Sequence, residues 1–300
     1  MKNSSQLLLV DGMALLFRAF YATSVTGQFM INTKGIPTNA VQGFMRHFLT
    51  ALEEMEPSHA IVCWDMGSKT FRSEKFDGYK ANREAPPIEL IPQFDLVKEV
   101  VAAFDVPNVG VIGYEADDCI GTIAKSVQND IKVSILTGDK DLLQLVDHQI
   151  DVNIIQKGFG NYKTFSNEIF YEEYGITPRQ FIDVKALMGD TSDGYPGVKG
   201  IGEKTALKLI QQFETIPVLL ENLHQLTPSQ RKKIEEDLAM LHMSRELAEI
   251  KCDVPLTFSL EEAELNTISP QFLSFIDDLE LRSIRRHLIQ SKWSNLAKQA

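Results

Sequence analysis

Three hundred residues, 44% of them hydrophobic, can bury a sizeable core and divide into two domains. A net charge of −11 excludes nucleic-acid binding through overall charge, so any such contact must come from local groups of cations. Cys63, Cys119 and Cys252 have neither metal-like nor disulfide-like spacing, which points to a reducing cytoplasm, and no apolar run is long enough to span a bilayer.

The chain opens with MKNSSQLLLVDGMALLF, which imitates a signal peptide until Asp11 interrupts the apolar run, and no small-residue cleavage site follows. Residues 6–10 read instead as a buried strand ending in Asp11, with Phe17, Phe20 and Tyr21 beyond it expected in the core. A helical pattern over 40–55 leads to a second strand, HAIVCW, which ends in Asp65. The stretch GSKTFRSEKFDGYKANREAPP follows, with Lys69, Arg72, Lys75, Lys80 and Arg83 interleaved with Phe71, Phe76 and Tyr79. In so acidic a chain it is the best candidate for phosphate contact and base stacking, although a charge run alone is usually a solvated face. A helix over 91–104, a strand NVGVIGY ending in Glu115, a helix over 119–128 and a strand KVSILTG ending in Asp139 complete the pattern. Alternation of this kind predicts a mostly parallel sheet flanked by helices, with all strand C-termini along one edge.

Four strands therefore deliver acid to one crevice: Asp11, Asp65, Glu115 with Asp117 and Asp118, and Asp139 with Asp141. Helix dipoles explain any one of these first-turn acids, but not four strand ends in register. The six histidines show no zinc-ligand spacing, so the carboxylates suit a hard cation, Mg²⁺ or Mn²⁺, which would neutralise their mutual repulsion.

Further on, LMGDTSDGYPGVKGIGEKTALKLI repeats the acid theme in Asp190 and Asp193. Gly197, Gly200 and Gly202 then punctuate a turn between helical patterns at 178–189 and 203–213, with Lys199, Lys204 and Thr205 beside it. Glycines let backbone N–H groups approach a phosphate, and the second helix offers its N-terminus, so the segment reads as a helix–hairpin–helix that grips a DNA backbone. A plain turn between helices is the bland alternative. It is not a P-loop, because Glu203 separates the last glycine from Lys204 and no strand precedes it. The later pattern at 281–293 reads as an ordinary amphipathic helix.

Taken in order, LLVDG, CWDMGSKTFRSEKFDGYKANR, GYEADD, TGDKDLLQLV and LMGDTSDGYPGVKGIGEKTA resemble the bacterial 5′→3′ exonucleases, relatives of the flap endonucleases that also form the N-terminal domain of DNA polymerase I. The resemblance runs from about residue 7 to residue 213 and more loosely beyond, in the stand-alone form. It implies a resolvase-like α/β catalytic domain at 1–174, with a basic arch region near 69–95, and a helical domain at 175–300. It implies a first metal held by Asp11, Asp65, Glu115, Asp117 and Asp118, and a second by Asp139, Asp141, Asp190 and Asp193, partly through water. Lys80 and Arg83 would steer and polarise the scissile phosphate from the base of the arch, with Arg72, Lys75 and Tyr79 nearby on the DNA. The hairpin would hold K⁺ through its carbonyls while binding duplex. The implied activity is hydrolysis of phosphodiesters at 5′ ends, flaps or RNA primers in replication and repair, by a cytoplasmic monomer. Two departures stand out: Gly194-Tyr195 replaces a usual Asn-Ile, and Phe20 stands where an aromatic hydroxyl is usual. Competing readings are a non-catalytic DNA binder, an α/β phosphatase, disfavoured by Met13 where a second Asp is expected, and a related ribonuclease lacking the hairpin.

Overall fold

The computed structural model describes residues 5–291 apart from 26, 28 and 267. Its centre is a six-stranded sheet of order β3-β2-β1-β4-β5-β6. The strands are β1 (Gln6–Asp11), β2 (His59–Cys63), β3 (Asn108–Val109), β4 (Lys132–Thr137), β5 (Ile150–Ile155) and β6 (Tyr162–Phe165). Every pairing is parallel except β5 with β6. β1 lies between β2 and β4, so the direction of strand progression reverses there, where α/β sheets open a crevice.

Burial on both faces explains the apolar runs. Leu7 and Leu9 of β1 enter one core, which they share with helix α5, whereas Leu8 and Val10 enter the other. Each of these fully buried leucines contributes about 1.5–3 kcal/mol. The second core is built with α1 (Gly12–Thr23), α2 (Asn39–Met55) and α4 (Ile91–Ala103). The short α3 (Phe71–Lys75) precedes α4, and α5 (Ala116–Val127) crosses the opposite face.

The helical region runs through α6 (Asn167–Tyr174), α7 (Phe181–Met188), α8 (Glu203–Phe213), α9 (Ile216–Glu221), α10 (Pro228–Glu236) and α11 (Leu238–Ala248). The chain then returns. In α12 (Pro270–Asp278) and α13 (Arg282–Gln290), Phe272, Leu273, Ile276, Ile284 and Leu288 complete the core around α2 and α4. The described residues of 175–300 therefore do not pack as one helical unit, because the apolar face of the last two helices is buried on the α/β side.

Other expectations shift as well. The strand expected at 108–114 joins the sheet only over Asn108–Val109, and Gly113 (φ 89°) bridges instead to Thr70, outside the sheet. Tyr21 is 58% exposed rather than core, while Phe20 is buried. The basic stretch 69–95 contains α3, turns and the start of α4. Of the C-terminal amphipathic pattern, Arg282–Gln290 is helical and residues 292–293 lie outside the described residues. Among the described residues no helix is long and apolar enough to cross a membrane.

Candidate active site

Residues at the C-terminal ends of β1, β2 and β4 and the N-terminus of α5 surround a cavity of about 620 Å³. Asp11, Asp65, Glu115, Asp117 and Asp139 line it, with Lys80 and Arg83 on the same wall and Met13, Phe17, Pro86 and Phe94 forming an apolar side. Asp11 ends β1 and caps α1 with no loop between, its Oδ1 accepting from the Ala14 N–H at 2.9 Å and its Oδ2 from the Thr137 hydroxyl at 2.8 Å. Asp65 accepts from the Ala116 N–H at 2.7 Å, so β2 and α5 are joined through a carboxylate at a helix N-terminus. Gly12 allows this crowding, since a Cβ there would stand 2.5 Å from the Trp64 ring.

Gathering these acids raises the cost of their charge. Burial, reinforced by the charges of Asp65 and Asp139, pushes the Asp11 carboxyl up to about 7. Burial and the charges of Asp11, Asp139 and Glu115 push Asp117 well above the usual carboxylate range. Asp11, Asp65, Asp117 and Asp139 form no ion pair with Lys or Arg among the described residues. Glu115 does, with Lys80 at 2.7 Å, and it also accepts from the Tyr79 hydroxyl at 3.0 Å.

A second acid group sits beside the first, where the helical region meets the sheet. Asp141 begins a 3-10 turn, and its N–H donates to Asp139 at 2.8 Å. Asp190 and Asp193 follow α7. Asp190 accepts from the N–H groups of Ser192 and Asp193, and Asp193 pairs with Arg83 at 2.8 Å while accepting from Tyr79 at 3.1 Å. Between Asp141 and Asp190 lies the ammonium of Lys185.

Lys80 is held by its backbone as well as its charge. It adopts φ 53°, uncommon for a side chain with a Cβ, and its N–H donates to the Asp193 carbonyl at 2.7 Å. The neighbouring turn is seated by Gly194 (φ 79°), where a Cβ would stand 2.4 Å from the Gly78 carbonyl oxygen. The departure Gly194-Tyr195 thus admits a close backbone contact between the two halves of the chain.

Several candidate residues take other places. Asp118 is fully buried and receives both arms of Arg72 at 2.8 Å, together with the N–H groups of Glu115 at 3.0 Å and Lys251 at 2.8 Å. Its oxygens are saturated, so it braces the site rather than ligating a metal. Arg72 is 2% exposed and also donates to the carbonyls of Leu247 and Glu249 at the end of α11, which removes it from contact with DNA. Tyr79 is buried against the acids and cannot stack on a base. Lys75 is exposed and paired with Glu246.

The glycine segment joins α7 to α8, with Gly197 and Gly200 both at positive φ. Gly197 is buried and its N–H donates to the Ser244 hydroxyl at 3.2 Å, so it builds the turn rather than facing a ligand. The Lys199 N–H is taken by Asp237, and Lys233 donates to the Gly200 carbonyl at 3.0 Å. The side chains of Lys199 and Lys204 and the residue Gly202 remain exposed at the N-terminus of α8, with Thr205 half-buried behind them.

The sequence reading missed Thr137 and Lys185, and noted Tyr195 only as a departure from the usual pattern. Thr137 precedes Asp139 by two residues at the same strand end, and Lys185 precedes Asp190 by five, so both were adjacent to recognised motifs. A further hollow of about 510 Å³ beside α7 and α8, lined by Arg179, Asp183 and Arg245, holds none of the nine acids.

Among the described residues no three Asp, Glu, His or Cys side chains form a ready-made cage around one point, since Asp11, Asp65 and Glu115 are each turned toward protein donors. The donor chemistry nevertheless fits a hard divalent cation: carboxylates without His or Cys line the cavity, and two have raised pKa values that added positive charge would relieve.

An acid-tipped, mostly parallel sheet followed by a glycine hairpin between helices defines a resolvase-like nuclease. The sequence matches the 5′-3′ exonuclease N-terminal resolvase-like domain over residues 6–175 and the 5′-3′ exonuclease C-terminal SAM fold over residues 176–271, and the chain belongs to this 5′-3′ exonuclease family. It is a nuclease, and its activity is that of a 5′→3′ exonuclease. It is 55% identical to the 5′-3′ exonuclease of Bacillus subtilis, over 95% of this chain and 97% of that one. It is 39% identical to Bacillus subtilis DNA polymerase I over 96% of this chain, but spans only 33% of that polymerase. The fold matches a bacteriophage T5 flap endonuclease in complex with DNA and metal ions (TM-score 0.65, 22% identity, 82% of this chain and 89% of that one). It also matches flap endonuclease-1 from Methanococcus jannaschii (TM-score 0.59, 20% identity, 99% and 94%).

Proposed function

We propose that the chain hydrolyses phosphodiesters at 5′ ends and at 5′-flap junctions of DNA, including RNA primers, with two divalent ions, Mg²⁺ or Mn²⁺. The observation that carries this reading is the cavity in which five carboxylates face Lys80 and Arg83. Asp11, Asp65, Glu115, Asp117 and Asp139 would hold the first ion, and Asp141, Asp190 and Asp193, together with Asp139, the second. When bound, such ions lower the pKa of a water and stabilise charge on a leaving oxygen.

The protein's own groups do the rest. Lys80 and Arg83 already sit on carboxylates, Glu115 and Asp193, so a phosphate entering the cavity meets two preformed cations. The two carboxylates, the Tyr79 hydroxyl and the Asp193 carbonyl fix where those cations stand. Met13, Phe17, Pro86 and Phe94 give the same cavity an apolar part of its lining. Lys199, Lys204 and the N–H groups near Gly202 hold the duplex backbone at the start of α8. The Gly200 carbonyl accepts from the Lys233 ammonium at 3.0 Å, so a cation already stands at that point of the hairpin.

The test is cleavage of flap, nicked, gapped and RNA-primed duplexes with and without Mg²⁺. Metal-dependent products from the 5′ side are expected. Duplex binding with no metal-dependent product would leave only a DNA-binding protein.

A further inference from the structure

Lys185 projects from α7 with its side chain only 6% exposed, and its ammonium donates to Asp141 at 2.6 Å and to Asp190. A buried ammonium persists only where carboxylates compensate it. Here it lies between two of the acids assigned above to the second ion. Burial opposes its charge, yet the two carboxylates outweigh burial and hold the ammonium above its usual range. Asp190 is correspondingly pulled down to about 2, its own burial being outweighed by Lys185 and Ser192. Asp141 goes the other way, to about 7, because burial and the neighbouring charge of Asp139 exceed what Lys185 returns.

An independent observation marks the same place. Tyr195 is 1% exposed and its hydroxyl has no hydrogen-bond partner. The residue exchanges both backbone hydrogen bonds with Asp190, at 2.8 and 3.1 Å, and Asp141, Asp190 and Asp193 act on its phenol through their charge. A buried hydroxyl left unpaired is unfavourable, so this one points to a bound water or hydrated ion beside these acids.

We propose that Lys185 is the resident counter-ion of the second acid group, and that a divalent ion enters there only by displacing its ammonium from Asp141 and Asp190. The proposal rests on the two-ion reading given above. In the first cavity Lys80 pairs with Glu115 alone and leaves Asp11, Asp65 and Asp117 without an ion pair, whereas Lys185 occupies two acids of the second group at once, so the first cavity fills first and the second group fills at higher metal concentration.

Mn²⁺ binding to the full chain, followed by electron paramagnetic resonance, tests this. The wild type should show a tight site lost in Asp117→Asn and a weaker site lost in Asp190→Asn. Lys185→Met should tighten the weaker site by about tenfold or more and leave the tight site unchanged, with Lys185→Arg restoring weak binding. Unchanged or weaker binding at that site in Lys185→Met overturns the proposal. Should that variant not fold, the wild type still answers: the ε-carbon resonance of Lys185 must move as Mg²⁺ fills the weaker site, and a fixed resonance overturns the proposal. Mn²⁺ binding that neither Asp117→Asn nor Asp190→Asn diminishes overturns the two-ion reading itself, and the proposal with it.

Discussion

Asp117 and Asp118 are adjacent in sequence and leave the first turn of α5 in different directions, about 100° apart around the helix axis. Toward the cavity, Asp117 has acids for neighbours and a strongly raised pKa. Toward the protein interior, Asp118 is fully buried but receives Arg72 and two backbone N–H groups. Burial alone therefore does not distinguish a reactive acid from a structural one. The presence of a built-in counter-charge does.

The sharpest way to break this contrast is to neutralise each acid in turn. Asp117→Asn should lower cleavage by roughly 10³-fold while leaving the unfolding midpoint unchanged or raised, since it removes repulsion. Asp118→Asn should instead lower the midpoint, and residual activity should follow the folded fraction. Equal losses of stability in the two variants would abolish the distinction.

Next in size is the other half of the brace. Arg72→Met leaves Asp118 buried and uncompensated, which should cost about 3–5 kcal/mol in urea unfolding. Arg72→Lys should recover only part of this, because one ammonium cannot serve both carboxylate oxygens and two carbonyls. Full recovery would show that charge alone suffices.

Metal should stabilise the cavity side only. Free Mg²⁺ at about 100 times its dissociation constant should add about 2.7 kcal/mol to the wild type, reversible by a chelator, and much less to Asp117→Asn. An equal gain in both would place the ion elsewhere.

The pH dependence of the metal-free protein sharpens the comparison in the same direction. The Asp11 carboxyl, near 7 in the folded chain, binds its proton more tightly there than when unfolded. Its contribution is complete below about pH 4 and is lost as pH rises toward 7. Asp190, held near 2, has the opposite sign: its contribution is complete above about pH 4 and is lost as pH falls through 2. Urea midpoints should therefore decline from pH 5 to 7.5 by an amount that Asp11→Asn reduces. A decline unaltered by that substitution would assign it to other groups. The smallest effect belongs to the exposed Lys75–Glu246 pair, where Lys75→Ala should change stability by less than about 0.5 kcal/mol.

What the sequence discloses follows the same division. Acid at the end of a buried parallel strand is legible, because the strand's direction alone delivers Asp11, Asp65 and Asp139 to one edge. The helices α2, α4 and α8 are legible from their periodicity. Partnership is not. Arg72 looks like any other cation of a basic stretch, and only the return of residues 247–251 from the end of α11 turns it into an interior brace. Lys185 is hidden in the same way, since its partners at 141 and 190 meet it only after folding. The strand β6 escapes because it alternates weakly and pairs at an edge, and β5, whose apolar run ends in Ile155, carries no acid at its C-terminal end to mark it.

The contact between Gly194 and the carbonyl of Gly78 bears on how this protein could be dissected. A chain cut near residue 175 would separate the turn that presents Lys80 from the backbone that seats it, and take Asp190 and Asp193 away from Asp139. The two halves share one working centre across their seam, so neither fragment expressed by itself should be a nuclease, and mixing them should restore cutting only where they reassociate.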